Sequence, residues 1–222
     1  MLYSIFFWGL TAKFILISFP ITTMDYDSRY SKKEFYWGLK PHNLVVDSIQ
    51  HLPKNAKVLD LGCGEGKDSF FLAKNNFNVV AIDFSEEGIR KLNEFAQKEK
   101  LKIKADVSDV KSYLQDCEKF EAIFAMNVLQ FIDEKNIFKT IEQIQSKTKP
   151  NGLNVIASFV AENSKQKKMV LSKGRYFFDE GELKELYKDW KILFYEEKLG
   201  DWETHGEPRH RHFAVKLIAQ KK

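Results

Sequence analysis

The chain has few of the residues that cross-link or rigidify small extracellular folds. Its 222 residues include only two cysteines and five prolines, which excludes a disulfide framework and favours a reducing, cytoplasmic environment. The sequence contains no internal repeats, no low-complexity tracts and no cysteine–histidine cluster with the spacing of a zinc site. A chain of this length is expected to form one domain with a substantial core.

A strong excess of either charge is also missing. Thirty-five lysines and arginines against 31 acidic residues give a net charge of +4. The lysines are scattered over the predicted helices and the C-terminal tail, which indicates a solvated surface rather than a basic stripe. We therefore expect no nucleic-acid partner.

Charge is almost absent from the first 23 residues, which are apolar and aromatic with Lys13 as the single charged side chain. The segment is long enough to span a membrane, but a charge in the middle of such a span is costly. It has neither the basic start nor the cleavage site of a secretory signal. We expect Met24 to be the natural start and residues 1–23 to be a misannotated leader, with a membrane anchor as the alternative. Residues 24–222 then form the functional domain.

Within that domain, apolar runs alternate with amphipathic segments. The runs predict a first strand ending near Asp60, followed by strands over 78–82, 101–105, 120–126, 153–160, 191–197 and 212–219. Helices are predicted over 67–74, 86–98, 110–117, 134–148 and 179–187, after one that Pro41 opens. The remaining segments are predicted to be a mobile aromatic cap (25–37), a turn (149–152) and a flexible lysine-rich insert (164–174). This order predicts an α/β fold, a mostly parallel sheet with helices on both faces.

The clearest functional pattern is a glycine-rich turn after the first strand. Gly62, Gly64 and Gly66 alternate behind Asp60, so that the backbone can turn sharply and approach a ligand closely. A dinucleotide fingerprint reads G-x-G-x-x-G and faces a pyrophosphate. The spacing here is G-x-G-x-G, and the preceding carboxylate suits the cationic amino-acid end of S-adenosylmethionine better. We favour S-adenosylmethionine over NAD as the cofactor; a turn without any ligand is the remaining alternative.

Polar residues that follow later strands extend this candidate site. Asp83, 21 residues after Gly62, is predicted to accept hydrogen bonds from both ribose hydroxyls, because a carboxylate can accept from two donors at once. Its alternative role is a helix N-cap. Phe84 would flank the adenine. Asn127, after the fourth strand, would border the methionine moiety and the acceptor, unless it is a simple turn residue.

The sequence VLDLGCGEG at 58–66 resembles the first motif of the class I S-adenosylmethionine-dependent methyltransferases. More narrowly, the chain resembles the tellurite-resistance methyltransferases of the TehB type. That resemblance covers about residues 24–222 and is carried by WGLKP at 37–41, ELKELYKDW at 182–190 and HFAVKLIAQK at 212–221. It implies an enzyme with a Rossmann-like, doubly wound, mostly parallel seven-stranded sheet.

The resemblance also implies roles for residues around the turn. Asp106, with Val107, matches the position that reads the adenine amine, although a solvent-facing loop acid is the alternative. The family usually has Arg-Asn after the turn, where this chain has Lys67-Asp68. Lys67 keeps the positive charge for the cofactor carboxylate but lacks the planar fork of arginine. Cys63 is expected to present its backbone rather than a reactive sulfur.

The acceptor side is defined mainly by a basic cluster before the last strand. In the resembled family, histidines and arginines there hold an oxyanion such as tellurite or selenite, a task that charge-assisted donors suit. By this resemblance, His205, Arg209 and His210 are the candidate catalytic residues, and Arg211 and His212 are candidate substrate-binding residues.

The spacing of that cluster does not align cleanly with the family. Strand alternation puts His210 and His212 on one face and Arg211 on the other, so a solvated basic hairpin is the alternative. A metal site is disfavoured because further ligands are missing. The segment NVLQ at 127–130 lacks the proline motifs of base-modifying methyltransferases, which favours a small acceptor.

The aromatic cap, with Tyr36 and Trp37, is the expected lid over the site, because aromatic faces attract a cationic sulfonium. Methyl transfer from a sulfonium needs in-line positioning and exclusion of water more than acid–base help. The sequence therefore predicts a small-molecule methyltransferase, with tellurite or selenite as the acceptor by resemblance. The alternatives are methylation of another small thiol, amine or carboxylate, and cofactor binding without turnover. No oligomeric state is predicted.

Overall fold

A seven-stranded sheet runs through the computed structural model of the chain, which describes residues 26–200 and 211–222. The strands are β1 (Lys57–Leu61), β2 (Asn78–Asp83), β3 (Ile103–Val107), β4 (Phe120–Met126), β5 (Thr148–Phe159), β6 (Lys191–Leu199) and β7 (Phe213–Gln220). The α-helices are α1 (Tyr26–Tyr30), α2 (Asn43–Ser48), α3 (Lys67–Lys74), α4 (Glu86–Lys98), α5 (Val110–Asp116), α6 (Glu134–Ser146), α7 (Ser164–Leu171) and α8 (Glu182–Leu186). The predicted leader, 1–23, lies outside the described residues.

The strand order is β3-β2-β1-β4-β5-β7-β6. Strands β1 to β5 pair in parallel, whereas β7 runs antiparallel to both of its neighbours. The chain reverses its direction of sheet growth between β1 and β4, and this switch point leaves a crevice at the carboxyl ends of the strands. The predicted Rossmann-like, mostly parallel α/β fold is confirmed.

Alternating side chains build a hydrophobic layer on each face of the sheet. Leu59 and Leu61 belong to the layer that α5 and α6 cover, and Val58 belongs to the layer under α2, α3 and α4. Burial on both faces explains why the central strands are continuous apolar runs. Within the two described ranges, no helix has the length and apolar character needed to cross a bilayer.

Helices α3 and α4 and strand β4 have the predicted bounds, because clear local signals mark their ends. Gly66, with a φ of 92°, begins α3 from the left-handed region. The hydroxyl of Ser85 accepts a hydrogen bond from the Gly88 N–H at 3.0 Å and caps α4. The starts of α3 and α4 are therefore visible in the sequence.

Two predicted segments differ in the structure. Residues 164–171 form helix α7 rather than a flexible insert; Asn163 caps it by accepting from the Gln166 N–H at 3.0 Å, and Val170 is buried. Residues 149–152 lie inside β5 rather than in a free turn. Asn151 has a φ of 61°, and the register shifts opposite Phe120, so the turn chemistry produces a bulge in a continuing strand.

Other boundaries move by a few residues. Helix α2 begins at Asn43 with His42 as its N-cap, so Pro41 precedes the helix rather than opening it. Strand β3 includes Asp106, which pairs with Ile82 instead of following the strand. The N-terminal cap contains α1, and Tyr30 is only 4% exposed. Packing against α4 orders a segment whose sequence has no clear period.

Candidate active site

The carboxyl ends of β1, β2 and β4 border a cavity of about 360 Å³ at the switch point. This volume is within the range of small-molecule sites, about 300–1,000 Å³. Helix α1 and the segment after it cover one side. The charged residues and histidines that line the cavity are Arg29, His42, Asp60, Glu65, Lys67, Asp68, Asp83 and His212.

The glycine turn forms the floor of this cavity. Gly62 and Gly64 have φ values of 67° and 55°, in the region that side chains rarely adopt. A Cβ atom on Gly62 would overlap the Val128 side chain, and one on Gly64 would lie 2.8 Å from the Tyr30 hydroxyl. The N–H of Gly62 donates to the Ile82 carbonyl at 2.8 Å, which ties the turn to β2. The turn therefore presents bare backbone to a ligand, as a cofactor cradle requires.

Asp83 is the last residue of β2, and both of its carboxylate oxygens accept hydrogen bonds from backbone N–H groups. One oxygen accepts from the Gly64 N–H at 2.9 Å, and the other accepts from the Ser85 N–H at 2.9 Å. Burial raises the pKa of Asp83 above its ordinary value, against the lowering effect of these two bonds. Each oxygen keeps a second lone pair for a ligand hydroxyl. The α4 N-cap is Ser85, so Asp83 does not fill the alternative capping role.

Two more buried carboxylates lie beside the turn. Asp60 is 2% exposed and accepts from the Ser69 hydroxyl at 2.6 Å, while Asp68 accepts from the His42 N–H at 2.7 Å. Burial raises the pKa of both carboxyls, and the neighbouring Asp68 raises that of Asp60 further. A cavity lined by several desolvated carboxylates favours a cationic ligand.

His42 also lines the cavity, as a neutral imidazole. Burial, with the positive charges of Lys67 and Lys216, lowers its pKa to about 4. Its Nδ1 accepts from the Leu44 N–H at 3.1 Å, so the ring proton resides on Nε2. Its position as the N-cap of α2 places His42 at the cavity.

Helix α1 closes the cavity with aromatic side chains. The Tyr26 ring meets Phe84 at 5.9 Å and Phe131 at 5.7 Å, both edge to face. Arg29 Nη1 donates to the Tyr36 hydroxyl at 3.2 Å, and its guanidinium lies 5.3 Å from the Tyr36 ring centre. Burial raises the pKa of Tyr26, so its hydroxyl is protonated at neutral pH.

The structure brings ten of the predicted site residues to this cavity: Trp37, Asp60, Gly62, Cys63, Gly64, Lys67, Asp83, Phe84, Asn127 and His212. Asn127 lies in a turn with a φ of 53°, and its carbonyl accepts from Gln130 Nε2 at 2.7 Å. His212 stacks on Phe159 with ring centres 4.2 Å apart. Burial raises the pKa of the Cys63 thiol, which keeps that sulfur protonated.

Four other predicted residues are not among those lining the cavity in the part of the chain that the structure describes. The Tyr36 N–H donates to Glu65 at 2.7 Å behind the turn. Asp106 is exposed, and its Oδ2 lies 3.6 Å from Lys104 Nζ. Val107 is 49% exposed. Arg211 is also exposed. His205, Arg209 and His210 lie outside the described residues.

Sequence reasoning missed several lining residues, notably Tyr26, Arg29, His42 and Phe131. None of them follows a strand end or belongs to a motif. Their position depends on how α1 and α2 pack over the sheet. The nearest available signal is the density of aromatic residues in the N-terminal cap.

A family model and the most similar relatives assign the chain to the same family. Residues 23–216 match the family described as tellurite resistance protein TehB. The chain is 32% identical over 201 residues to the probable S-adenosyl-L-methionine-dependent methyltransferase TehB of Haemophilus influenzae strain 10810, which covers 87% of this chain and 68% of that protein.

Solved structures agree with this match. The crystal structure of TehB from Haemophilus influenzae aligns with a TM-score of 0.71 at 27% identity, over 89% of this chain and 66% of that one. The chain thus spans about two thirds of the length of these relatives. The magnesium protoporphyrin IX methyltransferase of Synechocystis PCC 6803, solved with bound SAH, shares the fold at a TM-score of 0.61 and 16% identity, covering 81% of this chain and 80% of that one.

Proposed function

The chain belongs to the TehB family of class I S-adenosylmethionine-dependent methyltransferases, and we propose that its acceptor is a small anion, with selenite and tellurite as the candidate oxyanions. The family's description as tellurite resistance proteins supports this acceptor class. The cofactor supplies an electrophilic methyl group on a sulfonium. The chain's own residues must bind the cofactor, orient the acceptor and exclude water.

The residues of the cavity fit this cofactor. Asp83 would hold the ribose hydroxyls on lone pairs that its backbone partners leave available. Asp60 would face the cofactor's ammonium group, because burial and the neighbouring Asp68 raise the pKa of this carboxyl and an adjacent cation would stabilise its ionised form. Phe84 would flank the adenine. Lys67 lines the same wall and would hold the cofactor carboxylate.

The observation that carries the acceptor proposal is the position of Arg29. Arg29 of α1 is one of the residues lining the cavity, and its guanidinium lies 5.3 and 5.8 Å from the centres of the Tyr36 and Tyr26 rings. His212 lines the cavity from the segment before β7. Two donors from outside the cofactor turn can orient an oxyanion by charge-assisted hydrogen bonds. We propose Arg29 and His212 as acceptor-binding residues.

Such an acceptor needs no general base. When the cofactor is bound, a lone pair of the acceptor would form the new bond to the methyl carbon, and the electron pair of the broken sulfur–carbon bond would stay on sulfur. The acceptor would thereby lose one negative charge, with S-adenosylhomocysteine as the leaving group. The chain's contribution is in-line placement under an aromatic cover that excludes water.

The test is steady-state S-adenosylhomocysteine formation by the full chain with selenite, comparing Arg29→Gln with wild type. Loss of a charged hydrogen bond, about 1.5–3 kcal/mol, should raise the KM for selenite roughly tenfold or more. Cofactor affinity should change less than about twofold, because Arg29 is not a cofactor ligand in this proposal. Arg90→Gln, on the exposed face of α4, is the matched control. An unchanged KM in Arg29→Gln would contradict the assignment, and no turnover with either oxyanion would redirect the search to organic nucleophiles.

A further inference from the structure

A buried ion pair lies behind the glycine turn, between Lys91 of α4 and Glu65 of the turn. Their side chains are 8% and 3% exposed. A buried pair recovers its desolvation cost only when the remaining donors and acceptors are also satisfied. The environment of this pair therefore indicates what it holds in place.

Every remaining hydrogen-bonding group of the pair goes to one chain segment. Lys91 Nζ donates to the carbonyls of Lys32 and Glu34 at 2.8 Å each, besides its contact with Glu65. These three acceptors match the three donors of an ammonium group. The second oxygen of Glu65 accepts from the Tyr36 N–H at 2.7 Å. We call Lys91, Glu65 and these three backbone groups the clasp.

The clasp joins three elements. It links α4 and the glycine turn to the segment 32–36, which follows α1 and contains no helix or strand of its own. Apolar contacts support the same link: the Phe35 ring lies 5.5 Å from Phe95 and 4.9 Å from the Lys91 ammonium. Side chains of α4 and the turn thus satisfy backbone hydrogen-bonding groups of this segment, which a helix or a sheet would satisfy elsewhere.

The segment held by the clasp carries the cover of the cavity. Tyr26, Arg29 and Tyr30 lie before it, and Trp37 and Gly38 lie directly after it; all five line the cavity. A second tie holds the start of α1, where Asp27 accepts from the Glu87 N–H at 3.1 Å. The five lining residues form part of the cavity wall, so the attachment of the cover to α4 should affect how long a bound ligand is retained. The clasp is the buried, charged part of that attachment.

We propose that Lys91 and Glu65 are positioning residues that hold the cover closed and the glycine turn in place, so that they set the residence time of the cofactor. They act through segment 32–36 rather than on the reacting atoms. The inference rests on the cofactor and not on the acceptor proposed above. Its test therefore uses S-adenosylhomocysteine binding and proteolysis, and a failure of the acceptor proposal would leave it intact.

The experiment compares full-length wild type with Lys91→Met, Glu65→Gln and the double variant. The dissociation constant and dissociation rate of S-adenosylhomocysteine are measured, together with tryptic cleavage after Arg29, Lys32 and Lys33. Arg90→Met is the matched control, because Arg90 neighbours Lys91 on α4 but pairs with Glu87 and Glu94 at the exposed surface. Thermal unfolding reports any global effect.

In Lys91→Met, we expect the dissociation constant to rise roughly tenfold, mainly through faster dissociation, since closure contributes to retention rather than encounter. Cleavage at the three sites should rise by about the same factor, because proteolysis follows local opening. The double variant should lose less than the sum of the single variants, because it leaves no unpaired buried charge.

Wild-type affinity and wild-type cleavage in both Lys91→Met and the double variant would overturn the proposal. So would a loss of affinity accompanied by a lower melting temperature and equal cleavage throughout the chain, since that pattern indicates only a structural ion pair. If Lys91→Met fails to fold, Glu65→Gln and the double variant decide by the same readouts.

Discussion

Asp83 is the residue that connects the glycine turn, helix α4 and the proposed ribose contact. Its two oxygens accept from Gly64 and Ser85, so its orientation is fixed before any ligand arrives. Preorganised acceptors of this kind bind a diol without losing side-chain entropy on binding. The position was predictable because Asp83 ends a recognisable strand at a fixed distance from the turn.

Replacing Asp83 by alanine should weaken S-adenosylhomocysteine binding by about 1–3 kcal/mol, the cost of losing charged hydrogen bonds. Asp116→Ala, at the exposed end of α5, should leave affinity unchanged. Calorimetric titration of both variants checks this. Equal affinities would remove Asp83 from the cofactor site.

Cofactor binding should also release protons. Burial raises the pKa of Asp60, Asp68 and Asp83, so part of this cluster is protonated just above the ordinary aspartate pKa of about 4. Their stabilising contribution to the empty protein is present below that value and is lost as pH rises through the raised pKa values. A cationic ligand reverses this penalty, so affinity for S-adenosylmethionine should increase with pH.

Calorimetry in two buffers with different ionisation enthalpies measures the released protons. The observed enthalpy should depend on the buffer in the pH range above the ordinary aspartate pKa where the carboxyls are still partly protonated, and Asp60→Asn should reduce that dependence. Identical enthalpies in both buffers at each pH would show that the carboxyls do not titrate on binding.

At the scale of elements, caps decide where helices begin. Ser85 and Asn163 use their side chains to satisfy the first N–H groups of α4 and α7. His42 does the same for α2 with an imidazole, an unusual capping group that sequence rules do not favour. This explains why Pro41 was the stronger sequence signal and why the predicted start of α2 is displaced.

His42→Ala should lower the free energy of unfolding by about 0.5–2 kcal/mol at neutral pH, the usual cost of a lost cap. The pKa of His42 is lowered to about 4, so its contribution is present above the ordinary histidine pKa of about 6.5 and is lost as pH falls towards about 4. The difference between variant and wild type should therefore shrink in acid.

Urea unfolding of His42→Ala, wild type and His51→Ala across this pH range checks that dependence. His51 is exposed after α2 and serves as the control for a lost histidine. A deficit in His42→Ala that stays constant with pH would contradict the neutral-cap interpretation.

At the scale of the whole molecule, local patterns predicted the sheet and its turn, while tertiary packing determined the cover. Apolar runs and the glycine spacing are encoded in short segments, which is why β4 and α3 have their predicted bounds. The role of Lys91 depends on its contact with Glu65, 26 residues away in the chain, and that of Arg29 on the packing of α1 against α4. No local pattern reports such contacts, so the clasp and the basic side of the cavity emerge only from the fold.

The central claim is that this fold transfers a methyl group from S-adenosylmethionine to a small oxyanion. The most direct measurement incubates the purified full chain with methyl-labelled S-adenosylmethionine and either selenite or tellurite, and then follows the label. We expect label in a methylated selenium or tellurium product, an equal amount of S-adenosylhomocysteine, and less of both in Asp83→Ala at sub-saturating S-adenosylmethionine. Tight cofactor binding without acceptor-dependent label transfer would contradict the claim.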